Sequence, residues 1–207
     1  ILPLDYRAKT RIEQFAVAAG AHRPGAAGLD LALTFQPKGG QGVVTAKQGA
    51  LRAPMFFKAP MPLLDLKMPV QWEYGENKTF KVRAENWSFH DGRGIEGGGL
   101  LALHFDGQPD GPALHVDARG AAKVLPNALA YVPHSWSQAL QDWLKTAIRA
   151  GSAEDLHIQM EGRVPNLPFD VLEKPGKMQI KARLENVDLK FAPDWPLIEK
   201  LSGDFSL

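Results

Sequence analysis

The residues able to act as nucleophiles, acids, bases or metal ligands are scattered along this chain without the spacing that catalysis requires. The chain has no cysteine, and its six histidines lack the His-x-x-x-His spacing of a helical metal site. His104 and His115 could face each other across a hairpin, but a metal bound there would need further ligands. No two carboxylates share an apolar setting that would separate an acid from a base. We therefore predict that the chain is not an enzyme and holds no metal and no cofactor.

The bulk composition argues against two further classes of partner. A net charge of +1 provides no general attraction to nucleic acid or to an anionic membrane surface. No stretch approaches the roughly 20 consecutive apolar residues that span a bilayer. With 207 residues, the chain is long enough to bury a sizeable core. An alternating pattern begins near Gly203 and stops at Leu207, so we expect the chain to be a piece of a longer protein.

Alternation of apolar and polar residues with a period of two dominates the chain and predicts strands with one apolar face. In the clearest example, the apolar residues run from Leu156 to Val164 and the polar residues between them face the other way. Short turn segments separate the runs and favour an antiparallel meander. Similar runs are found at residues 12–18, 29–35, 43–50, 63–72, 79–89, 100–105 and 178–191.

Two of these runs change phase partway. The apolar residues occupy even positions up to Leu184 and odd positions from Val187, and the same switch follows Ala84. One extra residue in each strand would restore a single apolar face, so the pattern predicts β-bulges near Glu85–Asn86 and Glu185–Asn186. A faint internal repeat accompanies the switch. Its matching residues are Lys81, Arg83, Glu85 and Asn86 in one run and Lys181, Arg183, Glu185 and Asn186 in the other.

One segment has helical periodicity, over about residues 136–149. Ser135 and Gln138 form a capping-box pair, and Gly151 stands where a C-terminal cap is expected. Because the polar face of the helix carries only two basic residues, we predict that it covers an edge or an end of the sheet and does not lie on a membrane. A shorter apolar segment at residues 124–132 predicts one more helical turn after Pro126. The predicted apolar stripe is Trp136, Leu140, Trp143, Leu144, Ala147 and Ile148.

A fixed order of helix, glycine and proline-containing motifs runs from Tyr131 to Pro196. Its most specific residues are Trp143, Gly151, Pro168, Phe169, Trp195 and Pro196. This order resembles the YhdP branch of the AsmA-like proteins over about residues 124–207. Residues 63–123 fit the less distinctive strands that precede this block in the family, and residues 1–62 fit it only in general character.

The resemblance implies a location in the periplasm of a Gram-negative bacterium. It also implies an inner-membrane anchor at the N-terminus of the full-length protein, and a long repeating β-groove that bridges toward the outer membrane. Family members are implicated in moving phospholipid between the two membranes. Acyl chains and the inner and outer membranes are therefore the expected partners, whereas nucleic acid is not. The resemblance supplies no catalytic residues.

These observations predict a mainly β fold in which a curved antiparallel sheet forms an open, U-shaped apolar groove that the helix caps or covers. Residues 1–123 would form a β-groove module. Residues 124–207 would form the helix plus strands and stop at the start of the next repeat. The residues predicted to line the groove are Leu156, Ile158, Met160, Val164, Met178, Ile180, Ala182, Leu184, Phe80 and Val82.

Two alternatives stay open at the level of the sequence. In a scaffold module with a closed core and no lipid, the same aliphatic and aromatic side chains would fill a sandwich. A carbohydrate-active β enzyme would instead need clustered carboxylates with perturbed pKa values in a cleft. An open apolar face is the feature that separates a lipid-carrying module from both alternatives.

Overall fold

A computed structural model describes residues 5–20, 23–134, 136–167, 169 and 174–207. Ten antiparallel strands form one open sheet in which each strand pairs with the next along the chain. The predicted mainly β meander is therefore confirmed. The strands are β1 (Ala8–Val17), β2 (Gly25–Gln36), β3 (Gly39–Arg52), β4 (Met61–Tyr74), β5 (Phe80–His90), β6 (Ile95–Phe105), β7 (Ala113–Ala122), β8 (Ile148–Arg163), β9 (Gly176–Leu189) and β10 (Ile198–Ser206).

Strand β7 has no counterpart among the runs predicted from alternation. Leu114 and Val116 do alternate with His115 and Asp117, but alanine and glycine complete the strand, so its apolar signal is weak. Its position between β6 and β8 is nevertheless fully paired. Because β7 and β8 are paired, the sheet is continuous across residues 123 and 124, where the sequence suggested a division into two modules.

Both predicted bulges are confirmed. Asn86 adopts a left-handed conformation with φ of 53°, and the pairing of β5 with β6 shifts by one residue between Glu85 and Trp87. Asn186 adopts φ of 51°, and the register of β9 with both of its neighbours shifts at that point. Asparagine tolerates this backbone region better than most residues, because its short side chain can bond locally. Each bulge thus returns the apolar side chains that follow it to the face used before it.

The structure extends the internal repeat to a third copy in β1. Gln14 has φ of 55° and lies in a register shift of β1 against β2, at the place that corresponds to Asn86 and Asn186. A lysine, an arginine and a glutamate precede each bulge at the same spacing, and the arginine pairs with the glutamate in every copy. Strands β1, β5 and β9 are four strands apart, so the structural repeat is a unit of four strands. The third set of preceding residues is Lys9, Arg11 and Glu13.

Two α-helices, α1 (Leu125–Ala128) and α2 (Gln138–Ala147), lie in the connection between β7 and β8. A 3-10 turn at Leu129–Tyr131 follows α1, which confirms the predicted short helical segment. The N-terminal cap of α2 is Ser137, whose Oγ accepts a hydrogen bond from the Leu140 N–H at 3.3 Å. Ser135, predicted as the cap, lies outside the described residues.

The predicted role of Gly151 as a helix cap is wrong. Helix α2 ends at Ala147 and passes directly into β8, which contains Gly151 with φ of 112°. A Cβ atom at this position would lie 2.7 Å from Cα of Val187 in β9. Glycine is therefore needed here for close approach of two strands as well as for its backbone conformation.

The start of the helical connection is held by the turn between β5 and β6. Asp91 is 4% exposed, and its carboxylate accepts hydrogen bonds from the N–H groups of Arg93 at 2.7 Å and Ile95 at 2.9 Å. The hydroxyl of Tyr131 donates a third hydrogen bond to the same carboxylate at 2.6 Å. The Asn127 side chain adds a hydrogen bond to the Arg93 carbonyl at 2.6 Å. The hydrogen bonds from Tyr131 and Asn127 thus fix the first half of the connection to this turn.

Further along, the same connection reaches the segment between β3 and β4. The His134 N–H donates to the Phe56 carbonyl at 2.9 Å, and the His134 ring lies 2.9 Å from the Pro54 carbonyl. The helical connection therefore runs from the β5–β6 turn to the β3–β4 connection across one end of the sheet. This agrees with the prediction that the helical segment covers an end of the sheet.

Burial is shallow across the part of the chain that the structure describes. One small cluster is formed by Ala46, Leu63 and Leu66, and a second by alanines of β7, β8 and β9 around Ile95. Phe89 packs against both clusters, and α1 packs against the second. No large side chain among the described residues is fully buried. The sheet therefore lacks the deep two-layer core of a closed sandwich.

Candidate functional site

Rows of apolar side chains cross one face of the sheet, here called the apolar face. Residues of successive strands lie directly opposite one another in these rows, so their side chains are neighbours. The opposite side, here called the polar face, carries the intervening charged and amide residues. One row is Ala84, Leu101, Val116, Met160 and Met178, and the next is Val82, Leu103, Leu114, Gly162 and Gly176.

The structure brings the central predicted lining residues together. Ile158 lies opposite Ile180, and Met160 lies opposite Met178, in the pairing of β8 with β9. All four side chains are half-buried, so each keeps part of its apolar surface exposed. These four residues form a continuous apolar area over two strands that could contact an acyl chain.

The remaining predicted lining residues lie toward the two ends of this area. Leu156 and Leu184 pack against the buried cluster that includes Ala182, and α1 packs against the same cluster. Val82 belongs to the second apolar row, and the ring of Phe80 stacks on Tyr74 with ring centroids 5.2 Å apart. The Val82 row reaches β8 and β9 at Gly162 and Gly176, and Phe80 lies opposite Phe105 in β6. The predicted lining residues that lie within strands thus share one face, although these strands are far apart in the sequence.

The position predicted for Val164 on the face of β8 is wrong. The strand ends at Arg163, and Val164 begins a 3-10 turn (Val164–Asn166) in which its N–H bonds to the Pro112 carbonyl at 3.0 Å. Proline at position 165 cannot donate a hydrogen bond to a neighbouring strand. The alternation continues in the sequence for one step beyond the strand itself.

A further bulge, at Asp155 in β8, was missed by sequence reasoning. Asp155 has φ of 49°, and the pairing of β8 shifts there against both β7 and β9. Its carboxylate pairs with Arg183 at 2.6 Å. The bulge keeps Ala153 and Leu156 on the same face. The change from an odd to an even apolar position between these two residues is the signal that could have revealed it.

Phe169, a residue of the predicted signature, fills the space above a pair of glycines. Gly162 in β8 lies opposite Gly176 in β9, and a Cβ atom at Gly176 would lie 2.2 Å from Cδ1 of Phe169. A Cβ atom at Gly162 would lie 2.6 Å from the same ring. Because neither glycine has a Cβ atom, the aromatic ring can lie directly against the backbone of both strands. Pro168, which precedes it in the signature, lies outside the described residues.

The other signature aromatics form an exposed cluster beside α2. The Trp143 indole N–H donates to the Phe191 carbonyl at 2.8 Å, and the two rings are 5.9 Å apart. The Phe191 ring is 5.2 Å from Trp195, and Pro196 follows in the exposed connection between β9 and β10. Trp143 is 36% exposed and Trp195 is 55% exposed. These residues pack against one another and only partly against the sheet.

The buried side of α2 agrees with the predicted stripe only in part. Ala147 is buried as predicted, but Leu140 and Trp143 are exposed, and Gln141, predicted on the polar side, is buried. The Gln141 amide donates hydrogen bonds to the carbonyls of His134 at 3.1 Å and Trp136 at 2.7 Å. Burial of this amide is tolerated because two backbone carbonyls satisfy its donors. The helix therefore turns a polar side chain toward the protein.

We expect Trp143→Ala to lower the free energy of unfolding by about 2 kcal/mol, less than for a fully buried tryptophan, because about a third of the ring is already in water. Urea denaturation measures the change. Trp143→Phe is the control that keeps the ring contact with Phe191 and loses only the indole hydrogen bond, at a cost of about 1 kcal/mol. A loss above about 4 kcal/mol for the alanine variant would contradict this partial burial.

On the polar face, polar side-chain contacts link β8 to β7 and to the residue that follows β6. Arg163 donates to both carboxylate oxygens of Asp106, at 2.8 and 2.7 Å, and these hydrogen bonds hold the pKa of Asp106 well below its usual value. His157 lies 2.8 Å from Asp117, whose pKa is lowered by that hydrogen bond and by one from Gln159. In the described part of the chain, no group of three or more His, Asp or Glu side chains is placed to hold a metal ion.

A hollow of about 1060 Å³ lies near the end of the strands that carries the β4–β5 and β6–β7 turns. Strands from β2 to β9 border it. Most of the bordering side chains belong to the polar face, and Val82 is the only predicted groove-lining residue among them. The hollow, here called the polar hollow, is therefore lined mainly by side chains of the polar face, although the second apolar row also borders it. It does not include Ile158, Met160, Met178 or Ile180. Polar side chains at its border include Gln71, Lys81, Arg83, His104, His115 and Glu161.

Within the described residues, neither helix has the length and apolar character needed to cross a bilayer.

Comparisons with curated proteins and with solved structures returned no match. The sequence profile of one family, described as YhdP protein, matches residues 2–207. The match covers nearly the whole chain, including the strands before residue 124 where the motif resemblance was weak. The chain therefore belongs to the YhdP family, in agreement with its likeness to the YhdP branch of the AsmA-like proteins.

Proposed function

We propose that this chain is a module of a lipid-transport protein and carries phospholipid acyl chains along its apolar face. The observation that carries the proposal is the continuous apolar area formed by Ile158, Met160, Met178 and Ile180, whose side chains are only half-buried. Soluble proteins rarely leave contiguous apolar surface exposed unless it binds something. The apolar rows extend this area toward β5, so a bound chain can cross several strands.

The energetics of such binding need no specific pocket. Each methylene removed from water contributes about 0.8 kcal/mol, and the contribution does not depend on direction. An acyl chain lying along the rows can therefore move from one position to the next while it keeps a similar buried area. The phospholipid headgroup would remain in water. This mode of transport requires no catalytic residue, and we propose that the chain is not an enzyme and uses no cofactor.

Family membership supports a role in the cell envelope. We propose that the full-length protein resides in the periplasm of a Gram-negative bacterium, is anchored in the inner membrane, and moves phospholipid between the inner and outer membranes. Its partners would then be phospholipid acyl chains and the two membranes, with no nucleic acid. The open edges of the sheet at β1 and β10 are compatible with continuation of the groove by further strands.

We expect Ile158→Asp and Ile180→Asp to leave the full-length protein folded and abundant but to block phospholipid transfer. Both side chains are half-buried, so a carboxylate there can still reach water when no lipid is bound. It would have to be desolvated or neutralised as each acyl chain passes. Transfer is measured between donor and acceptor vesicles, and folding by urea denaturation of the same preparations.

Gln179→Asp provides the matched control, because Gln179 lies between Met178 and Ile180 but points to the polar face. It introduces the same charge in the same strand and should leave transfer unchanged. A folded Ile158→Asp variant with normal transfer would eliminate this surface as the conduit. Loss of folding in both isoleucine variants would favour the scaffold alternative, since an unpaired carboxylate in a closed core is severely destabilising.

A further inference from the structure

Four basic side chains surround a small open area on the polar face of β5, β6 and β7. Lys81 lies opposite His104, and Arg83 lies opposite Ala102. On the next strand His115 lies opposite Ala102, and Ala113 lies opposite His104. Directly opposite residues have Cβ atoms about 4.5–5.5 Å apart. The two alanines thus leave space between the longer side chains, and all six residues border the polar hollow.

Of the four-strand units that begin at β1, β5 and β9, only the second, β5 to β8, has this arrangement. Lys81 and Arg83 have counterparts at the same positions before the other two bulges. The first unit, however, has Thr34 where His104 stands and Val43 where His115 stands, as judged from the pairing of its strands. The third unit has Ser206 opposite Lys181. The two histidines therefore convert a repeated pair of cations into a cluster of four hydrogen-bond donors.

The surroundings of the cluster are cationic on balance. Five lysine and arginine side chains and three carboxylates border the hollow. One of the carboxylates, Asp110, lies 3.5 Å from Arg163, which Asp106 also contacts. Arg83 contacts Glu85 through Nε and Nη2, which leaves its Nη1 donors available. Lys81 faces Glu73 across the strands without an ion pair among the described residues. Donors thus outnumber acceptors at the cluster.

We propose that the polar hollow binds an oxyanion of the phosphate or phosphoester class at Lys81, Arg83, His104 and His115. Lysine and arginine supply charge-assisted hydrogen bonds to phosphate oxygens, and each imidazole can donate a further N–H. The volume of the hollow exceeds that of one phosphate group, so it can hold the polar body of a phosphoester as well. The ligand can be a soluble phosphate compound or the headgroup of a phospholipid. This site is independent of acyl-chain transport on the apolar face.

Isothermal titration of the purified protein with inorganic phosphate and with glycerol phosphate tests the proposal. The double variant Lys81→Gln/His104→Gln should weaken binding by about tenfold or more, because charge-assisted hydrogen bonds are lost. Lys181→Gln is the matched control, since Lys181 has the same place in the repeat but does not border the hollow, and it should change affinity by less than about twofold. Shifts of the His104 and His115 ring resonances during titration of the unaltered protein provide a measurement that needs no variant.

Flotation with phosphatidylcholine vesicles, with and without phosphatidylglycerol, distinguishes the two sources of phosphate. Binding of glycerol phosphate in solution, with no preference for the anionic vesicles, identifies a soluble phosphoester. Flotation that requires phosphatidylglycerol and is lost in the double variant identifies a lipid headgroup. Absence of binding in both assays, or an equal loss with Lys181→Gln, overturns the proposal. Because the apolar residues are unchanged in these variants, failure here leaves the lipid-transfer test of Ile158 and Ile180 unaffected.

Discussion

Replacing Asp91 by alanine is expected to lower the free energy of unfolding by about 3 kcal/mol. The carboxylate is buried and accepts three hydrogen bonds, from two backbone N–H groups and from the hydroxyl of Tyr131. Alanine would leave these donors without partners in a site that water barely reaches, and hydrogen bonds to charged groups are worth about 1.5–3 kcal/mol each, with non-additive sums. The helical connection should also lose its attachment to the β5–β6 turn. Urea denaturation at about pH 7 measures the loss.

The contribution of Asp91 to stability should depend on pH in a defined direction. Burial raises the pKa of this carboxyl. The hydrogen bonds from Tyr131, Ile95 and Arg93 together lower it by more than burial raises it, so its pKa in the folded protein lies below the ordinary value of 3.8. The stabilisation is therefore complete above the unfolded pKa and is lost as pH falls through the folded value. We expect the difference in unfolding free energy between the unaltered protein and Asp91→Ala to shrink in acid.

Two variants serve as controls for this prediction. Tyr131→Phe removes one of the three donors and should cost about 1–2 kcal/mol. Asp194→Ala removes an exposed carboxylate from the β9–β10 connection and should change stability by less than about 0.5 kcal/mol. An Asp91→Ala protein as stable as the Asp194→Ala protein would show that the turn does not hold the helical connection.

Deleting Asn186 is expected to abolish cooperative folding, or to lower the free energy of unfolding by more than about 4 kcal/mol. Asn186 is the extra residue that keeps Val187 on the apolar face after Leu184. Without it, Val187 and the residues beyond it must turn to the polar face or slip against both neighbouring strands. Val187 is 2% exposed, so the change would remove it from its buried position. Urea denaturation and hydrogen exchange of the β9 amides measure the outcome.

Substitutions at the same position separate the bulge from the asparagine side chain. Asn186→Gly keeps the extra residue and adopts φ of 51° without a steric penalty, so it should cost less than about 1 kcal/mol. Asn186→Val keeps the residue count but places a β-branched side chain in a left-handed conformation, at a cost of about 1–2 kcal/mol. A deletion variant that unfolds with the unaltered free energy and an unchanged β9 would contradict the assigned role of the bulge.

Local patterns in the sequence predicted most of the strands and both asparagine bulges, because a period of two and its interruption are visible in adjacent residues. Strand β7 was missed since its alternating positions are occupied largely by alanine and glycine, which contribute little apolar contrast. The bulge at Asp155 was also missed, although its phase change between Ala153 and Leu156 is present in the sequence. In both cases the difference in polarity between alternate residues is too small for the alternation to stand out.

Other features depend on contacts that no local pattern records. The burial of Gln141 requires carbonyl groups of the preceding loop, at His134 and Trp136. The position of Gly151 depends on how closely Val187 approaches in the next strand. The polar hollow depends on how bulges and twist coil the whole sheet, so its bordering residues come from strands β2 to β9. Such features arise only when distant segments are assembled.

The four-strand repeat has a consequence for how this architecture can diversify. In the first unit, the third and fourth strands are joined by residues 53–60, whereas the corresponding strands of the second unit, β7 and β8, are joined by residues 123–147 with both helices. The pairing ladder is preserved in each case. The longer segment is thus an insertion in a connection at the end of the sheet, where hydrogen bonds between strands do not constrain its length. Grafting the helical segment between β3 and β4, or replacing it between β7 and β8 with the shorter link, would change which strands are covered at this end of the sheet. The pairing of the strands would stay the same.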